Sequence, residues 1–401
     1  MVSFGTSSLI LVDFGLKALS LKVTVKVKLT RASFWLPPAE RLLSLTLTAV
    51  TRFSFIAFFL VGNFFALDIG TTAIRVVELG HSGSGWNLKH YATKAIPSRL
   101  SESTADKDRR ALGMAITEVI NQSGIKTKDV AIGVPSGKMF ASVVEVPTVA
   151  KAELNATIKY QAENYVPMRP DEAKIDWAII GPSPVEQGKT EVLVASVLNT
   201  FTEARLDMLE NELGLNVIAI EPDSIALIRA LLPDGITDGR LLVNMEDSST
   251  DVIVTIGNAP RLIRSIPIGL TSMVRMAKQN LNIDDQQARQ LLLKFGVDQN
   301  ALDGQVYRAV HTLVDQLNAE LVKSLKFFVT KYNNMQIGAM LVSGYTASLT
   351  GFTDIMSEKT NLPVQLATPW QHVNVPMGDQ TTLAPISSQF AVAVGLAERA
   401  E

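Results

Sequence analysis

Two strand-turn-strand segments with small hydroxyl residues at their turns constrain this chain more than any other feature. The first is Phe64-Phe-Ala-Leu-Asp68-Ile-Gly70-Thr-Thr72-Ala-Ile-Arg75-Val-Val-Glu-Leu79, and the second runs Leu241–Met245 and Asp251–Ile256 around Glu246-Asp-Ser-Ser-Thr250. Short β-branched and aliphatic runs flanking a tight polar turn read as β-hairpins. A chain of 401 residues is too long for one small core. Two such hairpins, far apart in sequence, imply two related lobes.

The remaining segments alternate between two periodicities. Apolar residues recur at helical spacing over Lys107–Gly124, Ala152–Tyr165, Thr200–Leu213, Thr271–Leu281, Asp284–Lys294, Val306–Tyr332, Leu349–Thr360 and Ser387–Ala400. Gly124 and Gly214 close two of these helices, and Pro167 and Pro170 stop another. Val130–Val134, Ser142–Val146, Glu191–Val197, Val217–Ile220 and Met340–Ser343 are short β-rich runs; the unbroken apolar character of Glu191–Val197 fits a strand buried on both faces. Alternating strand and helix give a layered α/β architecture, with sheets covered by helices.

Composition removes several function classes. A net charge of −2 provides no broad field to draw the whole molecule to nucleic acid or anionic lipid. The absence of cysteine excludes disulfides, thiolate metal sites and cysteine nucleophiles, and fits a reducing cytoplasm. His81, His90, His311 and His372 show no metal-ligand spacing. The charge is uneven: Met1–Gly62 holds seven Lys/Arg against Asp13 and Glu40, hence +5, which leaves −7 for the rest. The apolar run Phe53–Gly62 is ten residues long, against the roughly 20 that a bilayer-spanning helix needs, and no small-residue cleavage pattern follows it. The expectation is that residues before about Val61 are not part of the native chain. A membrane anchor is the other reading of that leader.

The turn Asp68–Thr72 carries the clearest chemistry. Its backbone N–H groups, the close approach permitted by Gly70 and the hydroxyls of Thr71 and Thr72 suit phosphate oxygens, and Asp68 can hold a magnesium-bound water. Any β-hairpin can carry Asp-x-Gly-Thr, so the turn gains meaning only from what accompanies it.

What accompanies it is an ordered series: Glu221-Pro222 opening a helix through Leu232, Asn244–Thr250, Ser343-Gly344 after the strand Ala339–Val342, and Gln389-Phe-Ala-Val-Ala-Val-Gly395. With Asp68–Thr72 in front, the series resembles the first phosphate loop, first connecting segment, second phosphate loop, adenosine loop and second connecting helix of the actin, Hsp70 and sugar-kinase superfamily. Within that superfamily Gln161-Ala-Glu-Asn-Tyr-Val-Pro167, Glu221-Pro222, Ser265-Ile-Pro-Ile-Gly269 and Glu320-Leu-Val-Lys-Ser-Leu325 resemble the type IV pilus assembly PilM family, from about Phe64 to the C-terminus.

The resemblance implies an actin-like two-lobed α/β fold with the extra subdomain of PilM and the division protein FtsA. Its divisions would be a first lobe of residues 63–97 and 189–238, an inserted subdomain of 98–188, a second lobe of 239–385 and a C-terminal helix of 386–401 returning to the first lobe. It implies ATP and Mg2+ in the cleft, contacted by Asp68, Gly70, Thr71, Thr72, Ser248, Ser249, Thr250, Ser343, Gly344 and Tyr345. Asp68 would reach the metal through water, and Glu221 would position the attacking water. Glu320, Lys323 and Ser324 would lie near the sugar or base, although from its residues alone that stretch reads equally as a solvated helix face. The resemblance also implies a cytoplasmic scaffold at the inner face of the membrane. It would bind the cytoplasmic tail of a PilN-like inner-membrane partner in a groove lined mainly by the first lobe, engage other platform and motor proteins, and be able to homo-oligomerise.

The chain departs from the family at Asn244, where an acid is usual, at Glu246, where glycine is usual, and at Tyr345-Thr346, where glycines follow Ser343-Gly344. Losing the acid removes a magnesium-water ligand, Glu246 puts a side chain where backbone should approach phosphate, and Tyr345 crowds the base or stacks on it. Nucleotide binding with slow or absent hydrolysis is the resulting expectation. Two other readings share the superfamily: a small-molecule kinase, for which no substrate pocket or catalytic acid is marked, and an FtsA-like division tether, whose amphipathic C-terminal helix has no counterpart in Gly395–Glu401.

Overall fold

A computed structural model describes residues 63–82, 85–98, 100–150, 153, 156–158, 164–169 and 171–399. The leader and most of the helix expected over Ala152–Tyr165 lie outside the described residues.

Phe65–Ile69 (β1) and Ala73–Ser82 (β2) form the first hairpin, and Gly85–Ala95 (β3) continues the meander. Asp106–Ser123 (α1) ends at Gly124, whose φ of 81° supplies the left-handed closure read from the sequence. Asp129–Val134 (β4) then lies parallel to β1. Met139–Pro147 (β5), Ala173–Pro182 (β6) and Lys189–Leu198 (β7) form a separate antiparallel sheet in the order β5-β7-β6. Asn199–Leu206 (α2) runs into a π-helical turn at Asp207–Glu212. Asn216–Pro222 (β8), parallel to β4, completes the central strands of the first lobe, and Asp223–Leu231 (α3) leads out of it.

The second lobe repeats this plan. Gly239–Met245 (β9), Thr250–Ile256 (β10) and Ala259–Ile266 (β11) form a meander. The helices Leu270–Leu281 (α4), Asp285–Phe295 (α5) and Gln305–Lys331 (α6) follow, then Ile337–Gly344 (β12), Phe352–Thr360 (α7) and Val364–Leu366 (β13). The strand order is β11-β10-β9-β12-β13, the last three parallel. In the first lobe β3-β2-β1-β4-β8 has the same order and directions, with Val373–Asn374 (β14) added beside β3. The two hairpins therefore sit at equivalent places in equivalent sheets. Met377–Leu383 (α8) and, after a 3-10 stretch, Ala391–Ala397 (α9) end the fold.

Successive strand residues face opposite sides of a sheet, and each sheet is buried on both. Phe65, Leu67, Ile74 and Val76 pack with Leu112, Ile116 and Val119 of α1, and Leu241, Val243, Val252 and Val254 pack with Val310, Val314 and Leu321 of α6. The inner faces meet in one cluster: Ala66 and Val77 of the first sheet and Leu242, Ile253 and Leu341 of the second share it with α3 and α9. These helices cross at backbone contact, since a Cβ on Gly395 would collide with the Ala226 carbonyl.

The boundaries differ from the sequence expectation. α1 and β4 fall within residues 98–188, yet β4 is hydrogen-bonded between β1 and β8 in the first lobe. The inserted sheet spans Met139–Leu198 and includes β7. The chain also returns to the first lobe before residue 386, where Val373 and Asn374 pair with β3. Parallel partners are chosen by crossovers far apart in sequence, so local pattern could not place these edges. Among the described residues, no helix is long and apolar enough to cross a membrane.

Candidate functional site

The hairpin register puts Asp68 directly opposite Arg75. Arg75 Nη1 donates to Asp68 Oδ2 at 3.2 Å, both residues being buried, and its Nη2 reaches Gln389 Oε1 at 3.4 Å. The first turn is closed by Gly70 N–H donating to Ala73 O at 3.0 Å. In the second turn Glu246 N–H donates to Ser249 O at 2.8 Å, while the N–H groups of Leu270 and Thr271 donate to Glu246 O and Asp247 O at 3.0 and 2.9 Å. Gly269 makes this docking possible: a Cβ there would lie 2.6 Å from Glu246 O, Asp247 O and Ser249 N.

The two turns touch. The hydroxyls of Thr71 and Ser248 are 3.1 Å apart, and Thr72 donates to Asp247 Oδ2. Asp247 also accepts from Arg289 Nη1 and the Tyr345 hydroxyl, each at 3.4 Å. Arg289 Nη2 donates to that hydroxyl at 2.9 Å, with its guanidinium 5.4 Å from the Tyr345 ring centre. Tyr345 follows Gly344, which has φ 65° and where a Cβ would collide with Met245 O. Between the turns lies a cavity of about 10 Å³, lined by Gly70, Arg75, Glu246, Asp247, Tyr345 and Gln389 among others. That is room for about one water. The cleft is shut by its own side chains.

Four acids converge behind this contact. Asp68, Asp223 and Asp251 are buried, and burial raises the proton affinity of all three. Asp251 rises to about 6 even though Ser136 Oγ donates to it at 2.9 Å. Desolvation, then the charges of Asp68 and Asp251, push Glu246 to about 8. Its proton affinity is therefore well above that of an ordinary glutamate, which softens the expected clash with phosphate. Arg75 is the cation that acts on both Asp68 and Glu246.

The residues read from the sequence are distributed unevenly around this centre. Asp68, Gly70, Thr71, Thr72, Ser248, Gly344 and Tyr345 meet at the contact between turns. Ser249 contributes its carbonyl to the second turn, Thr250 donates to Ile268 O at 2.6 Å, and Ser343 is buried, donating to Asn244 Oδ1 at 2.6 Å. Glu320 and Ser324 are engaged by Arg264 at 2.6 and 2.9 Å, with exposed Lys323 beside Glu320 at 3.8 Å; none of the three lines the cavity. Glu221 is turned away from a water-positioning role. Arg229 binds both of its oxygens at 2.7 and 3.1 Å, and Arg399 adds a bond of 2.8 Å. The acid that joins the cleft cluster is Asp223, two residues on, whose Oδ1 has no hydrogen-bond partner among the described residues.

Sequence reasoning missed Arg75, Asp223, Asp247 and Arg289. Arg75 could have been found by pairing residues across the first turn, whereas Arg289 reaches Asp247 from a helix 42 positions away and left no local signal.

Two lobes of identical strand order, each presenting a hairpin turn to a shared cleft above two crossing helices, define an actin-like fold. Residues 66–401 match the family described as type IV pilus assembly protein PilM, and the chain belongs to that family. Its fold is similar to that in the PilM-PilN type IV pilus biogenesis complex, at 23% identity over 84% of this chain and 97% of the other, with a TM-score of 0.71. Weaker likeness extends to the ethanolamine utilization protein EutJ of Carboxydothermus hydrogenoformans (16% identity, 83% and 88% of the chains, TM-score 0.49). It extends also to MreB 5 of Spiroplasma citri bound to AMPPNP (12%, 83% and 94%, 0.46).

Proposed function

We propose that this protein is a cytoplasmic scaffold of the type IV pilus inner-membrane platform, which binds the cytoplasmic tail of a PilN-like membrane protein and takes ATP with magnesium in its cleft. Membership of the PilM family carries the first part of this reading. The donor set supports the second: paired turns with hydroxyls and backbone N–H groups for phosphate, and hard carboxylate oxygens for a hydrated cation. Magnesium commonly keeps several waters and binds through one or two carboxylates with substrate phosphates, so it would enter this cleft together with the nucleotide. Gly70–Thr72 and Ser248–Thr250 would hold the phosphates, with Asp68 acting on the cation through water. A bound magnesium ion would supply charge neutralisation to the phosphates and to the acids behind them. Admission requires the lobes to part, breaking the Thr71–Ser248 and Thr72–Asp247 contacts.

Hydrolysis is expected to be slow or absent, because Glu221 is held by two arginines and Asn244 bonds Ser343 and Glu246 instead of offering a carboxylate. Titration calorimetry should show magnesium-dependent ATP binding, and Thr71→Val with Thr72→Val should weaken it at least about tenfold, because hydrogen bonds to charged phosphate, roughly 1.5–3 kcal/mol each, outweigh the two inter-turn contacts that the change also removes. The variant avoids Asp68, whose removal would strand the buried Arg75. A titration of the wild type without heat, with no protection from thermal unfolding by ATP, would leave a purely structural member of the family. The tail peptide of the PilN-like protein from the same genome should bind in the same assay. Failure of that peptide to bind, with ATP present and absent, would sink the scaffold reading.

A further inference from the structure

The inserted sheet meets the second lobe along β11, and one buried carboxylate bridges them. Glu191 on β7 is fully buried; it accepts from the Tyr332 hydroxyl at 2.6 Å, and its other oxygen lies 2.8 Å from Arg261 Nε. Lys331 Nζ is 4.0 Å away. Arg261 belongs to β11, while Lys331 and Tyr332 end α6. Leu193 and Ala195 of β7 share an apolar cluster with Ile263 of β11, and Ser136, just before β5, donates to Asp251 on β10 at 2.9 Å. The seam is thus tied at its polar centre and packed around it.

The same strand and helix carry a second set of contacts. Three residues along β11 from Arg261, Arg264 bonds Glu320 and Ser324 of α6. The separation is about 10 Å along the strand and about 12 Å along the helix from Ser324 to Tyr332. One end of this strand-helix pair therefore holds the inserted sheet; the link to the cleft runs through β10, which pairs with β11 and carries Asp251 of the acid cluster behind the turns. The inserted sheet is chain-continuous with β4 and α2 of the first lobe, so the bridge links first-lobe material to the second lobe outside the α3/α9 crossing.

We propose that Glu191, Arg261 and Tyr332 form a coupling latch, through which ATP in the cleft and the partner tail on the first-lobe side bias each other's binding. This rests on the reading under Proposed function. When the lobes part for a nucleotide, a rigid seam forces the inserted sheet to move with β11 and α6; a loosened seam lets the lobes move while the insert stays behind. Linkage requires the effect to be reciprocal.

The test is titration of the partner-tail peptide into the wild type, Tyr332→Phe and Arg261→Lys, each with and without magnesium ATP. In the wild type the nucleotide should change peptide affinity at least about fivefold, the lower end of ordinary allosteric coupling. In both variants that ratio should fall below about twofold, with nucleotide-free peptide affinity within about twofold of wild type. Tyr332→Phe keeps the ring and loses only the hydroxyl, so it preserves the packing of α6. A purely structural role would lower the melting temperature and leave the ratio intact. A wild type that binds both ligands with a ratio of one, or variants that keep the wild-type ratio, would overturn the latch while leaving the scaffold reading standing. A wild type that fails to bind either ligand removes that reading, and the latch with it. Hydrogen exchange supplies a ligand-free check: Tyr332→Phe should speed exchange in both β7 and β11, and unchanged protection there would also count as refutation.

Discussion

Replacing Gly395 with valine is expected to lower the melting temperature by about 4 °C. Gly395 lies on α9 where it crosses α3, and any Cβ there collides with the Ala226 carbonyl. The obstacle is backbone, held in a helix whose Leu227, Ala230 and Leu231 are themselves buried, so no flexible side chain can give way. The Gly395 carbonyl also accepts from Arg229, the guanidinium that clamps Glu221. Pushing the helices apart therefore strains that ion pair as well. Overpacking of this kind costs roughly 3 kcal/mol, and each kcal/mol moves the midpoint by little more than about 1 °C in a protein of this size. Thermal denaturation followed by circular dichroism decides it, with Gly395→Ala expected to fall between wild type and valine. A valine variant melting within about 2 °C of wild type would show that the crossing is not as tight as the geometry requires.

The second large effect is on pH dependence. Glu246 has its folded pKa raised to about 8 from the ordinary 4.5, Asp251 rises to about 6 from 3.8, and Asp68 and Asp223 move in the same direction. Between the ordinary and raised values the folded state binds more protons than the unfolded state. Stability must therefore fall as pH rises, and the loss runs from about pH 4.5 to about pH 8 for Glu246. Gln at 246 stays neutral and can still accept from Asn244 Nδ2, which reaches the glutamate at 3.2 Å. Glu246→Gln should lie within about 1 kcal/mol of the wild type at pH 5 and gain up to about 3 kcal/mol more on it by pH 8, given roughly 1.4 kcal/mol per tenfold change in proton affinity. Parallel stability curves for the two proteins from pH 5 to pH 8 would contradict the desolvation of this carboxyl group.

Much of the frame was legible because it rests on local chemistry. The Asp68–Thr72 turn, the left-handed closure at Gly124 and the long helix ending near Tyr332 are each dictated by residues within a few positions of one another. β3 was not legible because the alternation begun by Trp86 and Leu88 breaks at a bulge before Tyr91, whereas in β6 the alternation of Ile175, Trp177 and Ile179 was present and missed. Glu221 shows the limit for the site. Its position at the end of β8 was readable, but the arginine that completes its enclosure, Arg399, lies 178 residues further on. Asp223 was hidden by the same distance effect: what makes it unusual is its proximity to Asp68, Glu246 and Asp251, which come from other strands and turns. The identity of the second turn's acid was likewise hidden in plain composition. Asp247 looked like one polar residue among several, and only the fold brings Thr72, Arg289 and Tyr345 to it.

The shut cleft has a consequence for how any affinity measured on this protein is to be understood. A ligand that enters only the parted form has its observed dissociation constant multiplied by the inverse of that form's population, so an open fraction of about 1% weakens apparent binding about a hundredfold with every contact in the bound state unchanged. Thr71, Thr72, Ser248, Asp247, Arg289 and Tyr345 set that population before any ligand arrives. Weak apparent binding would then measure how rarely the lobes separate, and a platform component that favoured the parted form could tighten it without touching the ligand at all.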